Sequence, residues 1–334
     1  MTYKKKKHKK RANFKIVPLI LLIIGLLSFI FLGWKFFGAI RHSGWDGNSR
    51  LNLVLIQDSP VLLSLDPEEK NLNLISIPEK TYIEVPRGFG SYPVEGIYKL
   101  GDLEGEGSEL MVEAMQEFFA TPVDGWIKLD DKRNRQISFS EEKDAVKKEI
   151  RSISRELVSN FFQSLTAKKT NLPILDRLKL WWVLRDLRFN KIVFLDLSQS
   201  GILVDETLGE GMVARVPDLE KLDVQTAGFF VDSKIENEHL KIEILNSTGE
   251  TGLGNHALRL VTNLGGEVIN IDNAENEIGQ CQIKSKKNNL GSATVQRLAE
   301  IFSCQKVGEG VEESRADIVF IIGRGYWEKL NQNF

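Results

Sequence analysis

Residues 240–271 read LKIEILNSTGETGLGNHALRLVTNLGGEVINI. The alternation over Leu240–Leu245 predicts a half-buried strand, and the glycines at 249, 252 and 254 break it with a turn. Apolar residues at three and four residue spacing then predict a helix over Gly254–Leu264, followed by a strand over Glu267–Ile271. Further on, strands are expected at Gln280–Lys284 and Asp317–Gly323, with a helix at Ser292–Phe302 between them. The order β-α-β-β-α-β over residues 239–325 indicates a small α/β domain.

Upstream of it, Asp232–Glu238 is polar and acidic and reads as a linker. Before that lies a second region, residues 50–231, where strands and helices again alternate. Leu51–Ile56, Val61–Leu65 and Leu72–Ile77 are short apolar runs, the last two separated by the turn Asp66–Asn71, and Thr81–Val85 continues the strand pattern. A helix is expected with Ser108 as its N-cap and a stripe of Leu110, Met111, Ala114, Met115, Phe118 and Phe119, ending at Thr121-Pro122. An amphipathic helix is expected over Glu141–Leu165, and another from Asn171 through Leu187 leading into the strand Lys191–Leu197. The fold class is therefore α/β, with a mixed sheet in the larger region. Beyond about one core's worth of chain, two domains are the physical expectation.

His42–Arg50 is polar and Gly-rich and reads as a short stalk. Ahead of it, eight of the first fifteen residues are Lys or Arg, and Ile16–Trp34 carries no charge. As a helix those residues would span about 29 Å at roughly 1.5 Å per residue, close to the thickness of a bilayer's hydrocarbon core. Fourteen of the nineteen are Ile, Leu, Val or Phe, enough to favour insertion by about 4 to 8 kcal/mol. The expectation is a basic cytoplasmic tail at 1–15 and a single transmembrane helix at 16–37. Because Lys and Arg resist translocation, everything beyond it is expected on the extracytoplasmic side of the plasma membrane. A cleaved signal peptide would have a shorter apolar core ending at small residues. A basic run abutting an uncharged apolar stretch is a topology signal and a contact for anionic lipid heads rather than a nucleic-acid tail.

Past residue 37, 35 basic residues face all 46 acidic ones. This excess of negative charge argues against a broad polyanion-binding surface on the exported part, and no nucleic-acid partner is expected. Cys281 and Cys304 are the only cysteines. Their compartment permits a disulfide; two buried thiols are the alternative, and two cysteines without a nearby His or acidic pair supply only half a zinc site. The four histidines are scattered without ligand spacing, so no protein-held metal is expected.

The turn Asn246–Gly254 resembles a phosphate loop at first glance, making Gly249, Gly252 and Gly254 a candidate anion-binding turn. It lacks the Lys-Ser/Thr of a P-loop and the spacing of a dinucleotide fingerprint, and the simpler reading is that the glycines permit a tight turn. There is no Gly-x-Ser-x-Gly elbow, no His-Glu-x-x-His helix and no Cys/His pair. The carboxylate pairs Glu68-Glu69, Asp130-Asp131 and Glu141-Glu142 sit in or beside expected turns and read as solvated surface.

Specific stretches carry a resemblance. Ile242–Gly249, Gly252-Leu-Gly254, Leu264-Gly-Gly266 and Ala316–Gly323 are similar to the LytR C-terminal domain over nearly all of residues 239–325. Leu51–Ile56, Val61–Pro67, Leu74–Tyr82, Pro122–Trp126 and Asn171–Leu175 resemble the LytR-CpsA-Psr catalytic domain. The resemblance implies a cell-envelope protein whose relatives transfer a glycopolymer from a polyprenyl-pyrophosphate carrier to peptidoglycan with Mg²⁺. In them arginines bind the pyrophosphate and aspartates hold the metal.

This chain departs from the family where that chemistry is expected. The family strand ends Ile-Pro-Arg-Asp-Thr, whereas here it reads Ile77-Pro78-Glu79-Lys80-Thr81. Exchanging a cation for an anion about 4 Å from a phosphate oxygen changes the gross Coulomb energy by roughly 8 kcal/mol at an effective dielectric near 20. If Glu79 and Lys80 lie in a strand, their side chains point to opposite faces and Lys80 is no substitute. The family's longer loop after the first strand is reduced to Gln57-Asp58-Ser59-Pro60, leaving Asp58 as the one candidate catalytic acid. Arg133 and Arg135 sit in a charged turn. The expectation is a non-catalytic cell-wall or glycopolymer binding or scaffolding relative without a cofactor. The alternative is an active phosphotransferase using Asp58 and Mg²⁺, with peptidoglycan or a polyprenyl-linked glycopolymer as partner.

Overall fold

The computed structural model describes residues 44–129, 148, 170–207, 211–309, 311 and 314–331. The basic tail, the apolar run at 16–37, Arg133, Arg135 and nearly all of the helix expected at Glu141–Leu165 lie outside the described residues. Among the described residues no helix is long and apolar enough to cross a membrane.

The first half builds a five-stranded mixed sheet. Its strands are β1 (Leu51–Ile56), β2 (Val61–Asp66), β3 (Asn71–Ser76), β6 (Gly125–Lys128) and β7 (Ile192–Asp196), in the order β6-β1-β2-β3-β7. β2 is antiparallel to β1 and β3, while β6 and β7 run parallel to their neighbours. Every residue of β1 and β2 is buried, because both sheet faces are covered. One face, with Val54, Ile56, Leu62 and Ile75, packs on helices α1 (Val94–Asp102) and α2 (Gly107–Phe119) through Ile97, Met111, Met115 and Phe119. The other, with Leu53, Leu55, Leu63 and Leu74, packs on Leu180 and Leu184 of helix α3 (Ile174–Asp186). A small β4–β5 ribbon (Tyr82–Val85, Gly90–Pro93) and a β8–β9 ribbon (Leu203–Thr207, Val213–Pro217) border this unit, followed by helix α4 (Leu219–Thr226).

The second half forms another five-stranded sheet. It holds β10 (Lys241–Asn246), β11 (Glu267–Asn273), β12 (Gln282–Ser285), β13 (Gln305–Val307) and β14 (Ile318–Ile322), ordered β11-β10-β14-β12-β13. Helices α6 (Leu253–Asn263) and α7 (Ala293–Ile301) cover the face bearing Ile242, Ile244, Ile283 and Phe320. The expected β-α-β-β-α-β order holds, with two additions: edge strand β13, and helix α8 (Arg324–Asn331) after β14. Cys281 and Cys304, each just ahead of a strand of the parallel β12–β13 pair, are joined in a disulfide with Cα atoms 4.5 Å apart.

Three local expectations are corrected. Ser108 does not cap α2: the helix begins two residues earlier, Glu106 is the N-cap, and Ser108 is buried within the first turn. Asp232–Glu238 is not an extended linker but helix α5 (Ser233–Glu238), with Asp232 buried as its N-cap and accepting the Lys234 amide. Gly44–Arg50 is not a free stalk, since Trp45 and Arg50 are buried and both the Gly44 and Trp45 amides donate to Asp176 Oδ2 (3.1 and 3.3 Å). Polar sequence had suggested exposure in both segments; buried carboxylates that accept backbone N–H groups reverse it.

Candidate functional site

β1, β3, β6 and β7 all point the same way, so their carboxyl ends emerge along one edge of the first sheet. In open α/β sheets this is the edge at which ligand sites assemble. Backbone bonds stitch its loops together: Ile77 N–H donates to Pro60 O (3.0 Å), Leu129 N–H to Ile56 O (3.1 Å) and Leu197 N–H to Ser76 O (3.1 Å). The edge therefore brings together the β1–β2 turn carrying Asp58, the β3 exit carrying Glu79 and Lys80, Lys128 at the end of β6, and Asp196 at the end of β7.

Glu79 and Lys80 do not occupy a strand, contrary to the expectation of alternating faces. They form an exposed tight turn closed by Thr81, whose amide and hydroxyl both donate to Pro78 O (3.3 and 2.7 Å). Lys80 adopts φ +60° and its amide donates to Glu95 Oε2 at 2.7 Å. Pro78 has no amide to continue the ladder, which explains why the strand ends here. The turn thus presents one anion outright and recruits a second carboxylate, Glu95, to its backbone.

Three other cations around the turn, Lys128, Arg87 and Arg215, are engaged. Lys128 Nζ lies over the Tyr98 ring, 3.9 Å from its centroid. Arg87, in the β4–β5 turn, makes a bidentate pair with Glu113 (Nε–Oε2 2.6 Å, Nη2–Oε1 2.7 Å) and a third contact with Glu106 (2.5 Å). The Glu113 hydrogen bonds, reinforced by Glu106, hold Arg87 above its ordinary pKa. Arg215 pairs with Asp205 at 4.0 Å beside the bridge from Thr81 to Arg215. Asp58 is exposed on its turn. Among the described residues no three His, Cys, Asp or Glu side chains converge as a metal site.

The glycine-rich turn before α6 is satisfied from within. Asn246 Oδ1 accepts the Thr248 amide and hydroxyl (3.0 and 2.7 Å), Asn246 Nδ2 donates to Glu250 O (2.8 Å), and Thr248 Oγ1 accepts the Glu250 amide (3.1 Å). Gly249 and Gly252 have φ of +73° and +88°, left-handed values at which a side chain is strained. A Cβ on Gly254 would meet Ile271 Cγ2 at 3.2 Å. Each glycine thus has a conformational or packing reason that needs no anion.

The opposite edge of the first sheet holds the charged clusters that sequence reading missed. Arg50 is buried and donates to Ser64 Oγ (2.9 Å), Phe229 O (2.8 Å), Val231 O (2.5 Å) and Asp66 Oδ2 (3.1 Å). Burial lowers its pKa, while Asp66 and Asp232 oppose that shift. Asp124 Oδ1 meets Arg297 Nη2 of α7 at 2.5 Å, and Asp124 Oδ2 accepts the Asn52 amide at 2.8 Å. Burial pushes the Asp124 carboxyl above its ordinary range against the pull of Arg297 and that amide. Between these groups a cleft of about 550 Å³ opens, lined among others by Trp45, Asp176, Arg297 and Glu300. Further contacts tie the two halves together: Arg259 pairs with Asp223 (2.6 Å), and Asn263 Nδ2 donates to Phe119 O and Ala120 O (2.9 and 3.1 Å).

The geometry defines an α/β protein of two mixed sheets, with the carboxyl edge of the first sheet exposed. Residues 239–326 match the family described as LytR cell envelope-related transcriptional attenuator. The second sheet and its helices are thereby a LytR-type domain. No curated protein sequence matches it. Among solved structures, B. subtilis TagT is 17% identical, with 54% of this chain and 89% of TagT covered, at a TM-score of 0.38. TagT with bound octaprenyl pyrophosphate lipid is 18% identical, with 55% and 90% covered, at 0.37. B. subtilis TagV is 15% identical, with 52% and 92% covered, at 0.36.

Proposed function

We propose that this chain is a membrane-anchored, extracytoplasmic protein that binds cell-wall or glycopolymer material as a non-catalytic relative of the LytR-CpsA-Psr transferases. Its basic tail stays in the cytoplasm, residues 16–37 cross the plasma membrane once, and both sheets lie outside. The observation that carries the non-catalytic reading is the turn after β3. Glu79, where the family carries arginine, is exposed beside Lys80, whose amide is held by Glu95. The arginine next along the chain, Arg87, is already neutralised by Glu113 and Glu106. A pyrophosphate arriving here meets carboxylates before it meets an unengaged guanidinium, and charge repulsion opposes binding even after solvent screening.

The test is binding of a polyprenyl pyrophosphate by the full chain in nanodiscs, with and without Mg²⁺, beside the Glu79→Arg/Lys80→Asp double variant. The native protein is expected not to bind the carrier. Mg²⁺-dependent binding and turnover by the native chain, lost in Asp58→Ala without a change in melting temperature, would instead establish the transferase.

A further inference from the structure

Helix α3 carries apolar residues all round its axis. Its inner stripe, Leu180 and Leu184 with the buried Asp176, faces the first sheet. On the outer side Leu178 is 42% and Trp182 56% exposed, and Trp181 stacks edge-on to Trp182 with centroids 6.2 Å apart. Arg185 sits over both indoles, its guanidinium carbon 4.0 Å from the Trp182 centroid and 5.6 Å from that of Trp181. A helix face that is apolar outside as well as inside calls for a second apolar medium. Tryptophan beside arginine is the pairing favoured where that medium is the boundary between lipid and water.

Charge and tether point to the same medium. Residues 174–191 hold five Lys or Arg against two Asp, whereas the chain beyond residue 37 is acidic overall. The amino-terminal strand of chain is pinned to this helix: Asp176 accepts the Gly44 and Trp45 amides, and Lys179 Nζ donates to Trp45 O. From residue 37 to residue 44 a fully extended chain reaches at most about 25 Å. If residues 16–37 cross the bilayer, α3 cannot leave its neighbourhood.

We propose that the outer face of α3, centred on Leu178, Trp181, Trp182 and Arg185, docks on the anionic outer surface of the bilayer that anchors the chain. The helix lies in the interface, its indoles reach the acyl boundary, and the exposed Arg185 and Arg188 meet lipid phosphates. This fixes which side of the first sheet faces the membrane, and it rests on the anchoring reading above.

The experiment uses the full chain in nanodiscs of phosphatidylcholine and phosphatidylglycerol in equal parts, with acyl chains brominated near the headgroup to quench nearby indoles. Tryptophan emission is compared for the native protein, Trp181→Phe/Trp182→Phe and Trp34→Phe. Beyond the quenching of Trp34 at the anchor, which the double variant keeps, the native chain and Trp34→Phe are expected to show an additional quenching that the double variant lacks. That excess should shrink at about 1 M salt, where the screening length falls to roughly 3 Å. Quenching equal in the native chain and the double variant, but lost in Trp34→Phe, would overturn the docking while leaving the anchor in place. Absence of quenching from all three would overturn the anchor and the docking together.

Discussion

Arg50 shows what a single residue does in this fold and why it escapes a linear reading. It precedes β1 at the end of a polar, glycine-bearing stretch, yet its guanidinium is buried against Asp66, Ser64 and the carbonyls of Phe229 and Val231. Those partners lie between 14 and 181 residues away, so no local pattern could mark it. Arg50→Met should destabilise the fold by about 3 to 5 kcal/mol, because Asp66 would be left charged, buried and without its cation. The urea midpoint measures this, and a shift within the scatter of surface variants would refute the role given to Arg50. Glu79 is the converse case. Its identity, and so the inversion of charge relative to the family, is legible in the sequence. That it stands in an exposed turn rather than a strand followed only from the Thr81 bonds to Pro78.

Among the elements, the buried strands were the most legible, because β1, β2 and β3 are rich in Leu, Val and Ile between turn residues. α1, β5 and the β8–β9 ribbon were not read out, since Gly90–Pro93 is short and mostly half-buried, Leu203–Thr207 is short and largely exposed, and neither has a clean period. The three-residue β13 is another such element. It is held by backbone pairing with β12 and by the Cys281–Cys304 bridge, with the Gln305 amide donating to Cys281 O at 2.9 Å. Closing a loop across a sequence separation of 23 stabilises by about 3 kcal/mol on chain entropy. The Cys281→Ala/Cys304→Ala double variant should lose about that much by thermal melting, with hydrogen exchange at residues 305–307 rising before the rest of the second sheet. Unchanged protection there would show that pairing alone holds the strand.

Across the whole molecule, the pair Asp124–Arg297 couples the first sheet to α7. The Asp124 carboxyl is held above its ordinary value by burial, so the folded chain binds this proton more tightly than the unfolded one. Its contribution is therefore favourable at low pH and is lost as pH rises from about 3.9 through the folded pKa. Asp124→Asn cannot titrate, so the stability difference between native and variant should narrow as urea midpoints are taken from about pH 4 to pH 7. A gap that widens over that range would reverse the assigned shift.

Read along the chain alone, periodicity and turn residues were enough for the α/β class, the C-terminal β-α-β-β-α-β order and the apolar run behind a basic tail. These properties belong to neighbours within a few residues, where 2.0 and 3.6 residue periods report which face is buried. The carboxyl edge joining Asp58, Glu79, Lys128 and Asp196, the burial of Arg50 and the Asp124–Arg297 pair emerged from the folded chain. Each depends on strand order and on contacts between segments distant in sequence, 173 residues apart for Asp124 and Arg297 and 181 for Arg50 and Val231. Local patterns carry no record of such distances, because desolvation and ion pairing act through space.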